Sequence, residues 1–384
     1  MRQRYEAARR YQNGFLGLTV CPTLNCNFRC LYCYQHHPPG IMSASVEDRI
    51  LRFIREQEPS VSSLSVTWFG GEPLLAFSVI ENLSQKFLDI ASGSLRYTSS
   101  IITNGYLLTP EISASLADLG VEDVQITLDG PRTSHNLRRP VSGGQETFDR
   151  ILENIVLADK RLHIVIRINI DHENVLGIME LFDQLDAAGL RGRVRAYFSP
   201  VIPYTNLCKD VAEYCIHGQD WSKIEARLLL EAVNRGYGGL SLPVSRSHVC
   251  LADSTASWVI RPDGLLCRCW NDVTQPENAI GLLPGKERSR RMKRNLEEWD
   301  TWSAFNFPRC LECKVLPQCM GGCPYLGRRQ INAGGRGYCT ELRYNLPEIL
   351  ATYYLSYKRR MVSEDLLHKL HSYMPKIVPA PECR

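Results

Sequence analysis

The chain has 384 residues, 44% of them hydrophobic, and a formal net charge of +4. That length holds one large domain with a smaller one, or a single barrel with additions, and so small a charge gives no argument for nucleic acid. No stretch approaches eighteen uninterrupted apolar residues, so no membrane span is expected, and the N-terminal MRQRYEAARRYQNG lacks the apolar segment of a secretory signal. A cytoplasmic protein is expected, in which the fifteen cysteines serve as metal ligands or catalytic thiols rather than disulfides.

In chain order, a charged extension (1–14) precedes FLGLTV (15–20), an apolar strand. SVEDRILRFIRE (45–56) reads as a helix capped by Ser45, and LSVTWF (64–69) as a strand. A helix near 77–90, the strand YTSSIIT (97–103), the helix EISASLADL (111–119) and the strand VQITLD (124–129) follow. Phe148, Ile151, Leu152, Ile155 and Val156 mark one face of the next helix. HIVIRINI (163–170), a helix to Gly189 and RVRAYF (193–198) complete the series. Six strand–helix repeats predict an α/β fold, a curved parallel sheet covered by helices. Right-handed crossovers place the C-terminal strand ends on one rim, where barrel-like sheets gather their chemistry. Each unusual short motif falls at such an end: Cys26, Cys30 and Cys33 after the first strand, FGGEP (69–73) after the second, TNG (103–105) after the third, DG (129–130) after the fourth.

Three cysteines at spacings of four and three suit a cubane cluster, which offers four irons and would keep one free for a non-protein ligand. A zinc knuckle completed by His36 or His37 is the plainer reading. Consecutive glycines in FGGEP let backbone approach a small ligand, or simply make a turn. Glu72 offers an ammonium group a charged acceptor. Arg167 inside an apolar strand is costly unless paired with an anion, either a ligand carboxylate or a nearby acidic side chain. Cys21 reads as a small buried hydrophobe.

Cys26-x3-Cys30-x2-Cys33, with Tyr32 before the last cysteine, resembles the radical S-adenosylmethionine (SAM) superfamily over residues 15 to about 200. The resemblance implies a partial (β/α)6 TIM-like barrel (15–205) whose three cysteines hold a 4Fe–4S cluster with an open iron for the amino and carboxylate groups of SAM. It assigns cofactor binding to Tyr32, Gly70, Gly71, Glu72, Pro73, Thr103, Asn104, Asp129, Arg167, Asn169 and Asn174, with Gly105 and Gly130 completing the motifs. The cofactor would supply a 5′-deoxyadenosyl radical that removes a substrate hydrogen atom, leaving the protein to place the substrate and exclude water.

Beyond a bridging helical region (206–249), Cys250, Gly264-x4-Cys269, Cys310-x2-Cys313-x5-Cys319-x3-Cys323 and Cys339 are similar to the seven-cysteine SPASM auxiliary-cluster domain (250–340), as is the link AIGLL (279–283). CxxC pairs alone would also suit a zinc ribbon, but seven cysteines exceed one tetrahedral site. The similarity implies two auxiliary 4Fe–4S clusters, one on Cys310, Cys313, Cys319 and Cys339, the other on Cys250, Cys269, Cys323 and an unassigned fourth ligand. Cys267 is a candidate for that place, although strand alternation turns it to the opposite face. GKERSRRMKR (285–294) reads as a solvated face or a landing strip for an acidic peptide. Residues 341–371 read as closing helices, and the tail carries Cys383.

This auxiliary domain implies a peptide or protein substrate, delivered by the barrel rim or by a separate leader-binding protein. The first strand starts too early to leave room for a leader-binding domain ahead of it. Flavodoxin or ferredoxin is the implied reductant. An oxidative side-chain crosslink (C–C, C–O or thioether) in a ribosomally made peptide leads, because auxiliary clusters give the surplus electron a route. An epimerase would need a hydrogen donor, for which Cys208 and Cys215 are candidates, each also readable as a core thiol. Sulfatase-maturing relatives place an aspartate directly after the cysteine corresponding to Cys269. Here Trp270 stands there, followed by Asn271 and Asp272, the candidate base. A small-molecule dehydrogenase and a structural zinc protein complete the alternatives.

Overall fold

The computed structural model describes residues 1–10, 14–57, 60–93, 95–238, 250–284, 288–332 and 338–359. The end of the bridging region (239–249), the start of the basic run, the closing helices past 359 and Cys383 lie outside the described residues. The elements are α1 (Arg2–Arg10), β1 (Gly14–Thr23), α2 (Ala44–Gln57), β2 (Val61–Gly70), α3 (Phe77–Ala91), β3 (Arg96–Thr103), α4 (Pro110–Asp118) and β4 (Val121–Thr127). They continue with α5 (Arg132–Arg138), α6 (Phe148–Leu157), β5 (His163–Ile170), α7 (Ile178–Ala187), β6 (Val194–Pro200) and α8 (Gly218–Asn234). The C-terminal part holds β7 (Ser257–Ile260), β8 (Leu265–Cys267), β9 (Gly281–Leu282), α9 (Arg290–Thr301), α10 (Pro308–Leu311), α11 (Leu316–Cys319), α12 (Pro324–Asn332) and α13 (Leu342–Arg359).

β1 to β6 pair in parallel in sequence order, as the alternation of strand and helix predicts. The sheet does not stop there. β7 joins the other edge of β1 in parallel, and β8 and β9 follow antiparallel, giving the order β6-β5-β4-β3-β2-β1-β7-β8-β9. The cysteine-rich region is thus stitched into the same sheet, and an edge that would attract a foreign strand is covered.

Alternation along each strand divides the residues. Leu64, Val66 and Trp68 on β2, Ile101 on β3, Val124 and Ile126 on β4, and Ile164, Ile166 and Ile168 on β5 are buried in the main core. The alternate positions are half-buried and carry Thr67, Ser100, Gln125 and Arg167, with cross-strand hydrogen bonds such as Thr67 to Ser100 (3.0 Å) and Tyr197 Oη to Gln125 Oε1 (2.7 Å). Polar side chains therefore already line one face before the rim is reached. The Ser45 expectation needs correction: α2 begins at Ala44, the Ser43 carbonyl accepts the Val46 and Glu47 amides, and Ser45 lies in the first turn. No helix among the described residues is long and apolar enough to cross a membrane.

Candidate active site

The loop after β1 is held by the ends of its neighbours. The Gly71 amide donates to the Thr23 carbonyl (3.2 Å) and the Glu72 amide to the Asn25 carbonyl (2.9 Å). A Cβ on Gly71 would lie 2.3 Å from the Asn25 carbonyl oxygen, and one on Gly70, at φ +129°, 2.1 Å from that of Thr23. The glycines thus permit close approach, as expected, but what approaches is the backbone of the cysteine loop. Gly71→Ala is expected to destabilise the fold by about 1–3 kcal/mol through overpacking and to lower iron retention at the first triad. Urea unfolding and iron per chain read both; an unshifted midpoint would show that the two loops do not bear on each other.

Glu72 is fully buried beneath this junction. Its carboxylate accepts from the Leu74 amide (3.0 Å), Thr103 Oγ1 (2.7 Å) and the Asn104 amide (2.7 Å). Two of the three donors, Thr103 Oγ1 and the Asn104 amide, tie FGGEP to TNG, while the Leu74 amide closes the local turn. Burial pushes its pKa up, while these donors hold it down.

A cavity of about 230 Å3 opens at the strand ends. Of the expected site residues, Cys26, Cys30, Cys33, Tyr32, Gly70, Gly71, Thr103, Asn104, Arg167 and Asn169 line it. Glu72, Pro73, Asp129 and Asn174 do not; the last two stand behind its wall. Asp129 accepts from the Asn169 amide (2.8 Å), from Asn169 Nδ2 (3.2 Å) and from Tyr32 Oη. Asn174 Nδ2 donates to the carbonyls of Asp129 (3.0 Å) and Asn169 (2.8 Å).

Sequence reading missed Arg139, Gln125, Thr127, Tyr34 and Tyr204, which also line the cavity, as does His37, one of the two histidines of the zinc-knuckle reading. Arg139 follows α5, a seven-residue helix with no apolar stripe; the signal available was a pair of arginines just past the DG rim motif. It donates to Tyr32 Oη (2.5 Å), lies 3.8 Å from Asp129, and keeps a buried Nε with no partner. Its neighbour Arg138 pairs with buried Asp171 (2.8 Å). His37 contacts Cys33 Sγ through Nε2 (3.4 Å).

Electrostatic coupling sorts the described thiols. Burial, then Glu72, then Cys30 and Cys33 push the Cys26 thiol up to about 12. Burial and Cys30 push Cys33 up to about 11, and burial also raises Cys30 against the pull of Arg139. Burial and Cys323 raise Cys250 to about 12. Cys269 is raised by burial, Asp272, Cys323 and Cys250. Burial and the neighbouring Cys319, Cys339 and Cys313 bring Cys310 to about 11. These couplings follow the triad and the two further sets that the family resemblance implies, with Cys208 an added neighbour of Cys33. Crowded thiols that resist ionisation lose their protons when a cation binds them, and the orphaned Arg139 Nε beside Cys30 suits an anionic ligand group. The donor set therefore fits an iron–sulfur cluster with SAM beside it. Among the described residues, no three His, Cys, Asp or Glu side chains are gathered around the position of a single metal ion.

Cys267 is buried against Cys21, Phe69 and Val273, away from the Cys269 group, which fits the opposite-face reading. Cys21 packs in the same cluster, as the small hydrophobe expected. Trp270 and Asn271 line the cavity and bring the Cys269 loop to its mouth, whereas Asp272 turns away to accept from Asn278 Nδ2 (2.8 Å). Cys208 and Cys215 are buried outside the cavity lining, donating to the carbonyls of Thr205 (3.4 Å) and Val211 (3.1 Å). A separate open depression of about 410 Å3 is lined by Arg291, Arg294 and Arg328, two of them from the basic run.

Residues 20–185 match the Radical SAM superfamily. Over those residues the chain carries a radical SAM domain; enzymes of this superfamily bind a 4Fe–4S cluster and SAM. Over 329 residues it is 22% identical to the serine-type anaerobic sulfatase-maturating enzyme of Klebsiella aerogenes, covering 81% of this chain and 78% of the relative. Native anSMEcpe with bound AdoMet and Cp18Cys peptide is similar in fold, with TM-score 0.62 and 18% identity over 93% of this chain and 99% of that one. Streptococcus suis SuiB bound to precursor peptide SuiA gives TM-score 0.57 and 17% identity over 85% and 75%. The resemblance to a partial radical SAM barrel is thereby borne out.

Proposed function

We propose that this enzyme removes a hydrogen atom from a peptide and forms an oxidative side-chain crosslink within it. The observation that carries this reading is the position of the cavity. Its lining includes both Cys26, Cys30 and Cys33 and the residues Trp270 and Asn271, which follow Cys269. A substrate held there is near two cysteine groups, so the electron left after hydrogen loss has a nearby acceptor if the second group also carries a cluster.

When bound, a reduced cluster and SAM supply the abstracting radical. The chain does the rest: Cys26, Cys30 and Cys33 ligate that cluster, while Gly70, Gly71, Thr103, Asn104, Asn169, Tyr32 and Arg139 surround the cofactor. Pro73 begins the turn that holds Glu72 beneath them. Two auxiliary clusters are assigned to Cys250, Cys269 and Cys323, and to Cys310, Cys313, Cys319 and Cys339. A flavodoxin-type or ferredoxin-type reductant and a reducing, cytoplasmic setting accompany this reading, with a separate leader-binding protein as one means of delivery.

The long match to a sulfatase-maturating relative favours a second reading, oxidation of a serine to an aldehyde. Against it, Asp272, the available carboxylate, is turned out of the cavity. Epimerisation fares worse, since neither Cys208 nor Cys215 lines the cavity. Mass spectrometry of candidate peptides after turnover tests the choice. A loss of two hydrogens without hydroxylamine-reactive aldehyde is expected. The same loss with aldehyde would establish the maturase reading, and a mass unchanged in ordinary water but raised by about one dalton at one carbon in heavy water the epimerase.

A further inference from the structure

Two arginines line the cavity in different company. Arg139 stands beside Cys30 and is matched by Asp129. Arg167 sits on β5, in register with Tyr197 on β6. Its Nε donates to Asn169 Oδ1 (2.8 Å), its Nη1 to Tyr197 Oη (3.3 Å) and its Nη2 to Ser199 Oγ (2.9 Å). All three acceptors are neutral. Among the described residues no carboxylate forms an ion pair with Arg167, whereas Arg138 has Asp171 and Arg139 has Asp129.

Guanidinium has five N–H donors in a planar fork. Three are used, so each terminal nitrogen keeps one, the arrangement that takes a carboxylate in two parallel bonds. An unmatched cation in a half-buried wall is costly unless a ligand completes it. Its neighbours show which ligand. Tyr34, which directly follows Cys33, and Tyr204 meet edge to face at 5.7 Å and line the same cavity as Arg167. Tyr204 packs in turn on Tyr325 (6.2 Å), two residues past Cys323, and Trp270, which follows Cys269, lines the cavity with them. Arg167 therefore belongs to the stretch of wall between the two cysteine groups, while Arg139 serves the cofactor side.

We propose that Arg167 is the receptor for a side-chain carboxylate of the substrate, so that the enzyme selects peptides with Asp or Glu at or next to the position of hydrogen loss. This rests on the peptide reading above and reassigns Arg167 from the cofactor-binding set to substrate recognition.

The test uses anaerobically reconstituted, SAM-loaded holoenzyme and a pool of random octapeptides, acetylated and amidated so that only side chains carry carboxylates. Bound peptides are recovered by gel filtration and sequenced by mass spectrometry. Wild type is expected to enrich Asp and Glu over Asn and Gln by about tenfold, the scale of one charge-assisted hydrogen-bond pair. Arg167→Gln should abolish the enrichment, Arg167→Lys should keep part of it, and both should bind SAM within about threefold of wild type. Peptides bound without acidic enrichment would overturn this proposal and leave the peptide reading standing, whereas no bound peptide at all would overturn both. Enrichment that persists in a folded Arg167→Gln protein, or SAM affinity that falls about tenfold or more in that variant, would return Arg167 to structure or to the cofactor.

Discussion

Cys30→Ala is expected to reduce 5′-deoxyadenosine formation from SAM and dithionite to the background of the enzyme-free mixture, while the protein stays folded. Cys30 is one of three thiols in the first group, half-buried near Arg139 and Asp129. Two remaining ligands cannot hold a cubane in the right place, so the variant should also lose about four iron atoms per chain, the content of one cluster. The C-terminal thiols are proposed to hold separate clusters, so iron bound there should remain. Retained cleavage would show that the N-terminal triad is not the site of cofactor chemistry. Loss of all iron would show that the three groups are not independent.

The second large effect concerns stability. Asp129 has no exposed surface, and its carboxylate joins Tyr32, Asn169 and Arg139 across β4, β5, the cysteine loop and the segment after α5. Asp129→Ala would leave Arg139 without its carboxylate and orphan the Asn169 amide. Breaking one side of a buried charged network costs about 3–5 kcal/mol. Tyr32→Phe removes only the hydroxyl and should cost about 1 kcal/mol. Urea unfolding of the reconstituted protein measures both. Equal costs for the two variants would mean that the charge on Asp129 carries none of the stability.

The six parallel strands were legible because each is an apolar run bounded by turn residues, and β5 has the predicted bounds, 163–170. β7 to β9 were not legible. They span four, three and two residues, and β7 is fixed by pairing with a strand more than two hundred positions earlier, for which no local pattern exists. α5 was missed for a related reason: it is short, and His135 and Arg138, its buried residues, are polar. The rim motifs were readable in sequence because each sits at a strand end. The wall of the cavity was not, since Gln125, Thr127, Arg139 and Tyr204 become neighbours only once the strand order is known. The roles of Asp129 and Asn174 could not be separated from those of Asn169 or Tyr32 by motif alone. Which of a set of polar residues faces the cavity and which braces it depends on side-chain direction across three strands.

The central claim is that the Cys26, Cys30 and Cys33 group leaves one metal position to the sulfonium cofactor. Electron paramagnetic resonance of the reduced, reconstituted Cys250→Ala/Cys310→Ala protein, recorded before and after adding SAM, tests this most directly. The g-values are expected to shift, with hyperfine coupling to nitrogen when the cofactor is labelled on its amino group. An identical spectrum in the two samples, with no coupling to the label, would contradict the account.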